Sequence, residues 1–392
     1  MRSLLHTAHL AGCTVLLRAD LNVPLKGETI ISNFKLDALR PTLDLLAQQG
    51  AKTIIATHLG RPKGFDLSLS TNMLTSWFIQ NGYTLSHAAT IEQGAAQKKT
   101  MQPGTFLLLE NLRFMDEERD SSLPSSRAYA QSLKNLADYY VNDAWGVSHK
   151  KDTSLTLVPS LFDQGKKTIG LLIEREVEGL EPLLNPERPF VLIMGGSKIP
   201  QKLPLIEKAL DVADSIIVLP ALAYTFLKAH GKDVGKSLVD DSVLQRASEI
   251  LEHAQEKGKE LILPVDFTYG SPDLSNLDPT VEVGNHIPPT MRGIALGPKS
   301  LEQCNEVISQ AQSILVNGMM GFFEYPKTLE PQKKLLQSIA QSDAYSVIGG
   351  GDSVAAVKLC ERENDFSFLS TGGGATLNYI LYRKTQVFDY LE

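Results

Sequence analysis

Residues 190–198 read Phe190-Val191-Leu192-Ile193-Met194-Gly195-Gly196-Ser197-Lys198, an apolar run that ends in two glycines, a serine and a lysine. A short continuous apolar run of this kind predicts a strand of a parallel sheet that is buried on both faces. Glycines directly after such a strand let the backbone approach a ligand and free N–H groups at the start of the next helix. The stretch therefore predicts an α/β protein with an anion-binding strand end.

Similar apolar runs recur on both sides of this stretch, at intervals wide enough for a helix between them. In the first half they are Thr14–Arg18, Thr53–Thr57, Thr105–Leu109 and Tyr139–Asn142. In the second half they are Ser215–Leu219, Leu261–Val265, Ser313–Val316, Tyr345–Ile348 and Phe366–Leu369. The alternation predicts βαβ units, and hence two doubly wound parallel-sheet (Rossmann-like) α/β domains.

The boundary between the domains is predicted from a change of pattern near the middle of the chain. Residues 169–184 have apolar positions at helical spacing, and Asn185–Pro189 then breaks the pattern before the next strand. We therefore expect an N-terminal domain over residues 1–168, a bridging helix over 169–184 and a C-terminal domain over 185–375. The polar segment 116–126 is interpreted as a mobile connection.

Composition limits the classes of partner. The chain has 392 residues, 43% of them hydrophobic and 21% charged, with a formal net charge of -7, which favours neither nucleic acid nor an anionic membrane as a partner. Its three cysteines are far apart and lack metal-site or disulfide spacing. No apolar run approaches the roughly 18 residues that a membrane span requires. These features predict a cytoplasmic protein.

In the first half, polar and basic residues follow the predicted strands, where open parallel sheets bind their ligands. The candidates are Asp20, Leu21, Asn22, His58, Leu59, Gly60, Arg61, Arg113 and Lys150. Arginines can hold a phosphate or carboxylate with two donors, while carboxylate and amide groups can orient hydroxyls. The set predicts a small, phosphorylated, hydroxylated acid as ligand, although each residue alone could equally be a cap or a surface residue.

In the second half the same places are rich in glycine, with Gly195-Gly196, Asn317-Gly318, Gly349–Gly351 and Gly372–Gly374. Such loops favour a nucleotide, because backbone N–H groups can hold phosphate oxygens. Tight turns of an ordinary α/β fold are the alternative. Neither GxxxxGK[ST] nor GxGxxG occurs, which argues against a P-loop enzyme and a dehydrogenase.

Three charged residues accompany the glycine loops. Lys198 and Lys202 lie four residues apart, on one face of a helix if one begins there, and could reach a phosphate chain or form an exposed surface. Asp352 directly follows the glycines Gly349–Gly351 and could hold a nucleotide-bound Mg2+ or cap the next helix. The phosphate-binding loops around Asp352 favour the metal role.

Taken together, these motifs resemble those of the phosphoglycerate kinase family, in the family's order and over almost the whole chain. The matching stretches are Arg18–Pro24, His58–Pro62, Leu109–Phe114, Asn142–Gly146, Gly195–Lys198, Asn317–Gly321 with Glu324, Gly349–Asp352 and Ser370–Ala375. The resemblance implies reversible phosphoryl transfer between 1,3-bisphosphoglycerate and MgADP, giving 3-phosphoglycerate and MgATP. Such an enzyme is a phosphotransferase with a carboxyl group as acceptor.

The resemblance also implies roles for individual residues. It assigns the first-half candidates and Lys35 to 3-phosphoglycerate. It assigns Gly196, Lys198, Lys202, Asn317, Glu324, Gly350, Gly351, Asp352 and Ser353 to ATP or ADP, with Asp352 on the magnesium. Catalytic contacts to the transferring group are implied for Lys35, Lys202, Gly373 and Gly374. A monomer, hinge closure and a C-terminal return of residues 376–392 to the first domain are implied as well.

Several sites depart from the family pattern, and three of them bear most on activity. Lys35 and Lys150 stand where the family usually has arginine, which keeps the charge but loses the planar fork. Residues 219–223 read Leu-Pro-Ala-Leu-Ala where the family has a run of glycines beside the adenosine, so the preference for adenine over guanine is open. These departures leave a weakened or non-catalytic paralogue with a binding role as the alternative.

Overall fold

The computed structural model of the protein describes residues 2–273 and 281–391. They form two compact units, one comprising the residues up to Glu178 together with those from Lys384 onward, the other comprising Gly179–Arg383. Each unit is built around a parallel sheet with helices between its strands, which confirms the predicted fold class. Within the described ranges, every helix is too short or too polar to cross a lipid bilayer.

The main sheet of the first unit has six parallel strands within the described residues. In spatial order they are Leu85–Ala88, Phe106–Leu109, Lys52–Ala56, Thr14–Ala19, Tyr139–Asp143 and Lys167–Ile169. The four predicted strands of this half are present. The two strands at the edges were not predicted, because they are short and partly exposed and so lack a continuous apolar run.

The helices of the first unit connect these strands. They are Phe34–Gln48, Thr75–Gln80, Ile91–Lys98, Asp116–Arg119, Ser126–Lys134, Leu157–Ser160 and Leu171–Leu180, of which the last runs into the second unit. Phe34–Gln48 shows why they form: Leu36, Leu39, Leu43 and Leu46 recur at helical spacing and are all buried in the core. Lys35 is thereby left off the core-facing stripe.

The main sheet of the second unit also has six parallel strands among the described residues. In spatial order they are Glu260–Ile262, Ser215–Val218, Phe190–Met194, Ser313–Asn317, Tyr345–Gly349 and Phe368–Ser370. All six correspond to predicted strands; Phe190–Met194 has both predicted ends, and each of the other five has at least one end shifted, by one to three residues. Numbered along the chain their order is 3-2-1-4-5-6, so the direction reverses between Phe190–Met194 and Ser313–Asn317, and ligands of such sheets bind at this reversal.

Helices cover this second sheet. They are Ile199–Ala209, Leu222–Ala229, Leu244–Glu256, Pro298–Gln310, Glu330–Ala340, Gly351–Leu359 and Gly374–Tyr382. Three of them, Ile199–Ala209, Gly351–Leu359 and Gly374–Tyr382, begin within a few residues of a glycine-rich strand end.

Two antiparallel elements were missed by the sequence analysis. Phe267–Gly270 pairs with Val281–Gly284 and Arg292–Leu296 in the second unit, and Leu25–Lys26 pairs with Thr29–Ile30 in the first. These strands are two to five residues long and interrupt the βαβ rhythm instead of repeating it. Only pairing with neighbours distinguishes such short segments from loops.

The ends of the two units differ in detail from the expected boundaries. Residue 169 ends a strand, the helix itself spans Leu171–Leu180, and a 3-10 turn over Glu181–Leu183 follows it. Residue 376 lies inside the helix Gly374–Tyr382, which belongs to the second unit.

The return of the C-terminus to the first unit begins at Lys384. Hydrogen bonds hold it there: Lys167 Nζ donates to the Tyr390 carbonyl at 2.7 Å, and the Thr385 hydroxyl and Val387 N donate to the Ser148 carbonyl at 3.0 and 3.3 Å. Val387 is buried in the first unit beside Leu155. The return therefore rests on both polar and apolar contacts.

The segment 116–126 is not the mobile connection that its polar sequence suggested. It contains the helix Asp116–Arg119, and Glu118 has no exposed surface. Ser126 Oγ donates to the Asp120 carbonyl at 2.6 Å, which closes the segment onto the next helix. The interpretation was wrong because a buried carboxylate has the same sequence signature as an exposed one.

Candidate active site

In the first unit the predicted residues follow four adjacent strands. Phe106–Leu109, Lys52–Ala56, Thr14–Ala19 and Tyr139–Asp143 are consecutive in the sheet and parallel. Their carboxyl ends therefore share one edge. The structure brings the candidate residues of this half together at that edge.

Asp20 and Lys35 form the central ion pair of this edge. Lys35 Nζ lies 2.6 Å from Asp20 Oδ2, and Asp20 is only 3% exposed. Burial by itself raises the pKa of Asp20, but the charge and hydrogen bond of Lys35, together with other positive charges nearby such as Arg18, outweigh it and the pKa falls to about 2. Gly146 packs against this carboxylate so closely that a Cβ there would lie 2.1 Å from Asp20 Oδ2. The pair is thus fixed and charged at neutral pH.

The neighbouring loop residues are held through backbone contacts. Gly60 N donates to Asn22 Oδ1 at 2.8 Å, and Leu21 N donates to Thr57 Oγ1 at 3.1 Å. The side chains of Leu21 and Leu59 are buried in the apolar core, so only their backbone groups can face a ligand. Asn22 uses its oxygen internally and keeps its amide nitrogen for a ligand.

Arg113 is held by two protein acceptors. Its Nη1 donates to the Gly60 carbonyl and its Nη2 to Asp152 Oδ2, both at 3.1 Å. Asp152 was missed by the sequence analysis, because an acid next to the predicted anion-binding Lys150 gives no signal for pairing with a distant arginine. A phosphate that binds Arg113 has to share it with this carboxylate.

Arg61 and Lys150 are exposed and form no ion pair with any residue in the described ranges. Both can therefore turn toward an anion at low cost. His58, in contrast, is buried. Burial, and then the charge of Arg18, holds the pKa of His58 well below its usual value, so the ring is neutral at pH 7.

In the second unit the two strands at the reversal bring their glycine loops into direct contact. Gly195 N donates to the Asn317 carbonyl at 2.9 Å. Gly318 has a φ of 114°, and a Cβ on it would lie 2.5 Å from the Gly195 carbonyl. Gly350, with a φ of 99°, approaches Gly373 in the same way, with 2.9 Å from a built Cβ to the Gly373 Cα. No side chain fits between these loops.

Lys202 lies in the middle of the glycine loops. Its Nζ donates to Asn317 Oδ1, while Asn317 Nδ2 donates to the Gly373 carbonyl at 2.8 Å. Burial, and then the neighbouring charge of Lys198, lowers the pKa of Lys202 to about 8. The amine is therefore a partly buried cation without a carboxylate partner among the described residues.

Helix starts surround this cation. Gly350 precedes the helix Gly351–Leu359, and Gly373 precedes the helix Gly374–Tyr382. The first N–H groups of a helix lack internal partners and carry partial positive charge. A phosphoryl group near Lys202 would thus meet N–H donors as well as the ammonium.

The remaining candidates of this half lie around these helix starts. Gly196, Lys198, Gly351, Asp352 and Glu324 have partly or fully exposed surfaces, whereas Ser353 is buried and accepts from Gly318 N at 2.9 Å. Ser353 thus also supports the glycine loop at Gly318. Across the described ranges, no three His, Cys, Asp or Glu side chains gather as a metal site. Asp352 alone fits an ion that is held mainly by phosphate oxygens and water.

The segment 219–223 consists of apolar residues that are mostly buried. Leu219, Leu222 and Ala223 are buried, and Ala221 has a φ of 74°, which a non-glycine residue adopts rarely. The backbone therefore keeps a glycine-like conformation at Ala221 while carrying side chains.

The chain is similar to known proteins over almost its whole length. The family described as phosphoglycerate kinase matches residues 5–381. A relative from Bdellovibrio bacteriovorus named phosphoglycerate kinase is 38% identical over 378 residues, covering 95% of this chain and 92% of its own. One of the same name from Nitratiruptor is 36% identical and covers 94% and 93%.

Solved structures give the same result. A phosphoglycerate kinase from Coxiella burnetii matches with a TM-score of 0.78 at 31% identity, covering 98% of this chain and 97% of its own. A phosphoglycerate kinase from Pyrococcus horikoshii matches with a TM-score of 0.85 at 27% identity, covering 99% and 98%. The similarity thus extends over both units.

Proposed function

The chain belongs to the phosphoglycerate kinase family, and we propose that its two strand-end sites divide the substrates of that reaction between them. The family's reaction moves a phosphoryl group reversibly between 1,3-bisphosphoglycerate and ADP, giving 3-phosphoglycerate and ATP. The acid takes the site of the first unit and the nucleotide takes the site of the second. The observation that carries the proposal is the partly buried Lys202 cation among glycine loops and helix starts.

In the first unit, the proposed contacts follow from charge and donor geometry. Arg61, Arg113 and Lys150 bind the phosphate of the acid, because two of them are unpaired and the third can share its donors. Asp20 and Asn22 orient its hydroxyl and carboxylate. The backbone of Leu21, Leu59 and Gly60, and the neutral ring of His58, complete the site.

In the second unit, the nucleotide phosphates bind along the glycine loops. The residues proposed for this are Gly196, Lys198, Lys202, Asn317, Glu324, Gly350, Gly351, Asp352 and Ser353. Asp352 holds Mg2+ together with phosphate oxygens, and the ion, when bound, neutralises charge on those oxygens. A single exposed carboxylate suits this arrangement, since Mg2+ keeps several of its waters.

Lys35, Lys202 and the N–H groups at Gly373 and Gly374 act on the transferring group. Its oxygens carry negative charge throughout, and fixed cations and N–H donors stabilise that charge without reorganisation. The phosphorus–oxygen bond to one substrate breaks as the bond to the other forms in line, without a covalent enzyme intermediate. Because the substrates bind to different units, transfer requires the hinge closure that the family resemblance implies.

The proposal is tested with a coupled assay of purified protein, 3-phosphoglycerate and MgATP. Lys202→Ala should abolish most of the activity, whereas Lys208→Ala, an exposed lysine of the same helix, should retain it. Lys35→Arg should keep or raise kcat, since it restores a planar fork. Repeating the assay with MgGTP measures the base preference that residues 219–223 leave open.

Two outcomes would contradict the proposal. One is the absence of turnover with either nucleotide in a folded protein that Lys35→Arg does not rescue. The other is equal loss of activity in Lys202→Ala and Lys208→Ala. We also propose that the enzyme is cytoplasmic and monomeric. Sedimentation of the purified protein tests whether it is a monomer.

A further inference from the structure

Four polar residues are almost completely buried at the substrate edge of the first unit. They are Arg18, His58, Glu118 and Ser154, each exposed by no more than 1%. Arg18 lies within the strand Thr14–Ala19, where its neighbours are apolar core residues. A fully buried arginine is rare and is retained only when its donors are satisfied.

The hydrogen bonds of this cluster run in one direction. Arg18 Nε donates to Ser154 Oγ at 2.7 Å, and Ser154 Oγ in turn donates to Glu118 Oε1 at 2.6 Å. Ser154 N donates to Glu118 Oε2 at 2.9 Å. A hydroxyl has one hydrogen to donate, so Ser154 accepts from the arginine and donates to the carboxylate. Glu118 therefore fixes Ser154, and Ser154 fixes Arg18.

The far end of the guanidinium is directed at His58. Arg18 Nη1 donates to the Ala19 carbonyl at 2.6 Å, while Nη2 lies 3.4 Å from His58 Nδ1 and 3.8 Å from Glu118 Oε1. An arginine can only donate, so Nδ1 has to present its lone pair. The hydrogen of a neutral His58 ring is then on Nε2.

We propose that Arg18 and Glu118 are positioning residues that hold His58 as the neutral Nε2–H tautomer, so that His58 presents a hydrogen-bond donor to the phosphorylated acid. This inference rests on the proposed function for the identity of the acid. A neutral donor suits the site, because Asp20, Lys35 and Arg113 already surround the ring with charge. An Nδ1–H tautomer would instead turn a lone pair toward an anion.

Glu118 also explains why the short helix Asp116–Arg119 is anchored. Burial raises the pKa of Glu118 to about 7 against the opposing charge of Arg18. The relay of hydrogen bonds is complete when this carboxylate is ionised. Measurements at about pH 8 therefore examine the intact relay.

The tautomer can be read directly by 15N NMR of the histidine side chains, of which the chain has eight. The His58 signals are assigned by their loss in His58→Gln. We expect the wild-type protein at about pH 8 to show a protonated Nε2 and an unprotonated Nδ1. Protonation of Nδ1, alone or together with Nε2, would overturn the proposal without any variant being needed.

Two variants test the relay. Arg18→Met removes the donor at similar length, and Glu118→Gln weakens the anchor while keeping its size. We expect both to shift His58 toward a tautomer mixture and to raise KM for 3-phosphoglycerate, by about tenfold for Arg18→Met and less for Glu118→Gln, with a smaller change in kcat. If Arg18→Met does not fold, Glu118→Gln carries the test alone.

The matched control is Asp143→Asn, another buried carboxylate of the same unit, which bonds to Thr42 and to the start of the helix Leu171–Leu180. It should lower stability without changing the His58 spectrum. The proposal is wrong if folded variants of the relay keep the wild-type tautomer and KM, or if Asp143→Asn changes the tautomer equally. The spectra need no turnover, so failure of the kinase assay would be a separate result.

Discussion

The lowered pKa of Lys202 makes a quantitative prediction about the pH dependence of the enzyme. The amine is needed as a cation if it neutralises the transferring phosphoryl group. Burial and the neighbouring Lys198 lower its pKa from 10.5 to about 8. The charged form therefore prevails below that pH and is lost as the pH rises through it.

The size of the effect follows from the titration of one group. With a pKa near 8, about half of the enzyme is active at pH 8 and about one tenth at pH 9, so kcat/KM for MgATP should fall about tenfold for each further pH unit. Bound phosphates favour the charged amine, so the fall in kcat should begin at higher pH than the fall in kcat/KM.

The measurement is a set of initial rates with varied MgATP from about pH 6.5 to pH 9.5, under conditions where the coupling enzymes are not limiting. Lys202→Arg keeps a charge that does not titrate in this range, so its profile should stay level even though its rate is lower. Lys198→Gln removes the repelling charge and should move the fall of kcat/KM to higher pH.

The reasoning would be refuted by a level profile in the wild-type enzyme up to about pH 9.5. It would also be refuted if the same fall persisted in Lys202→Arg, because another group would then be responsible. A shift toward lower pH in Lys198→Gln would contradict the assigned cause of the lowered pKa.

Three further substitutions test single contacts. Gly318→Ala places a Cβ 2.5 Å from the backbone of Gly195 at a φ of 114°, so the free energy of unfolding in urea should fall by more than about 2 kcal/mol. In the control Gly64→Ala nothing lies within 4 Å of the new Cβ, and the free energy of unfolding should change by less than about 0.5 kcal/mol. Asp152→Asn frees the Arg113 guanidinium from a carboxylate at 3.1 Å and should lower KM for 3-phosphoglycerate several-fold; a higher KM would show that the pair instead orients the arginine. Asp143→Ala removes acceptors for a helix start and should cost about 1–2 kcal/mol of unfolding free energy, while unchanged stability would mean that water replaces them.

The family and both parallel sheets could be predicted from the chain alone. A strand buried on both faces must be apolar along its whole length, so Phe190–Met194 was predicted with both of its ends correct. Glycines and polar residues after such strands mark the ligand edge, because the residues there are excluded from the core. The two edge strands of the first sheet and the antiparallel strands, such as Leu85–Ala88 and Phe267–Gly270, escaped because partial exposure or short length removes the apolar signature.

The partners of the charged groups were decided only by the tertiary structure. Asp152 pairs with Arg113, which lies 39 positions away in the sequence. Glu118 contacts Arg18 through Ser154, and Ser154 lies 36 positions after Glu118 in the sequence. Nothing in the local sequence separates the buried Glu118 from its exposed neighbour Asp116. Secondary structure and strand ends depend on patterns between near neighbours, which a sequence displays. The burial, pairing and pKa of a charge depend on which distant groups the fold brings within a few ångströms.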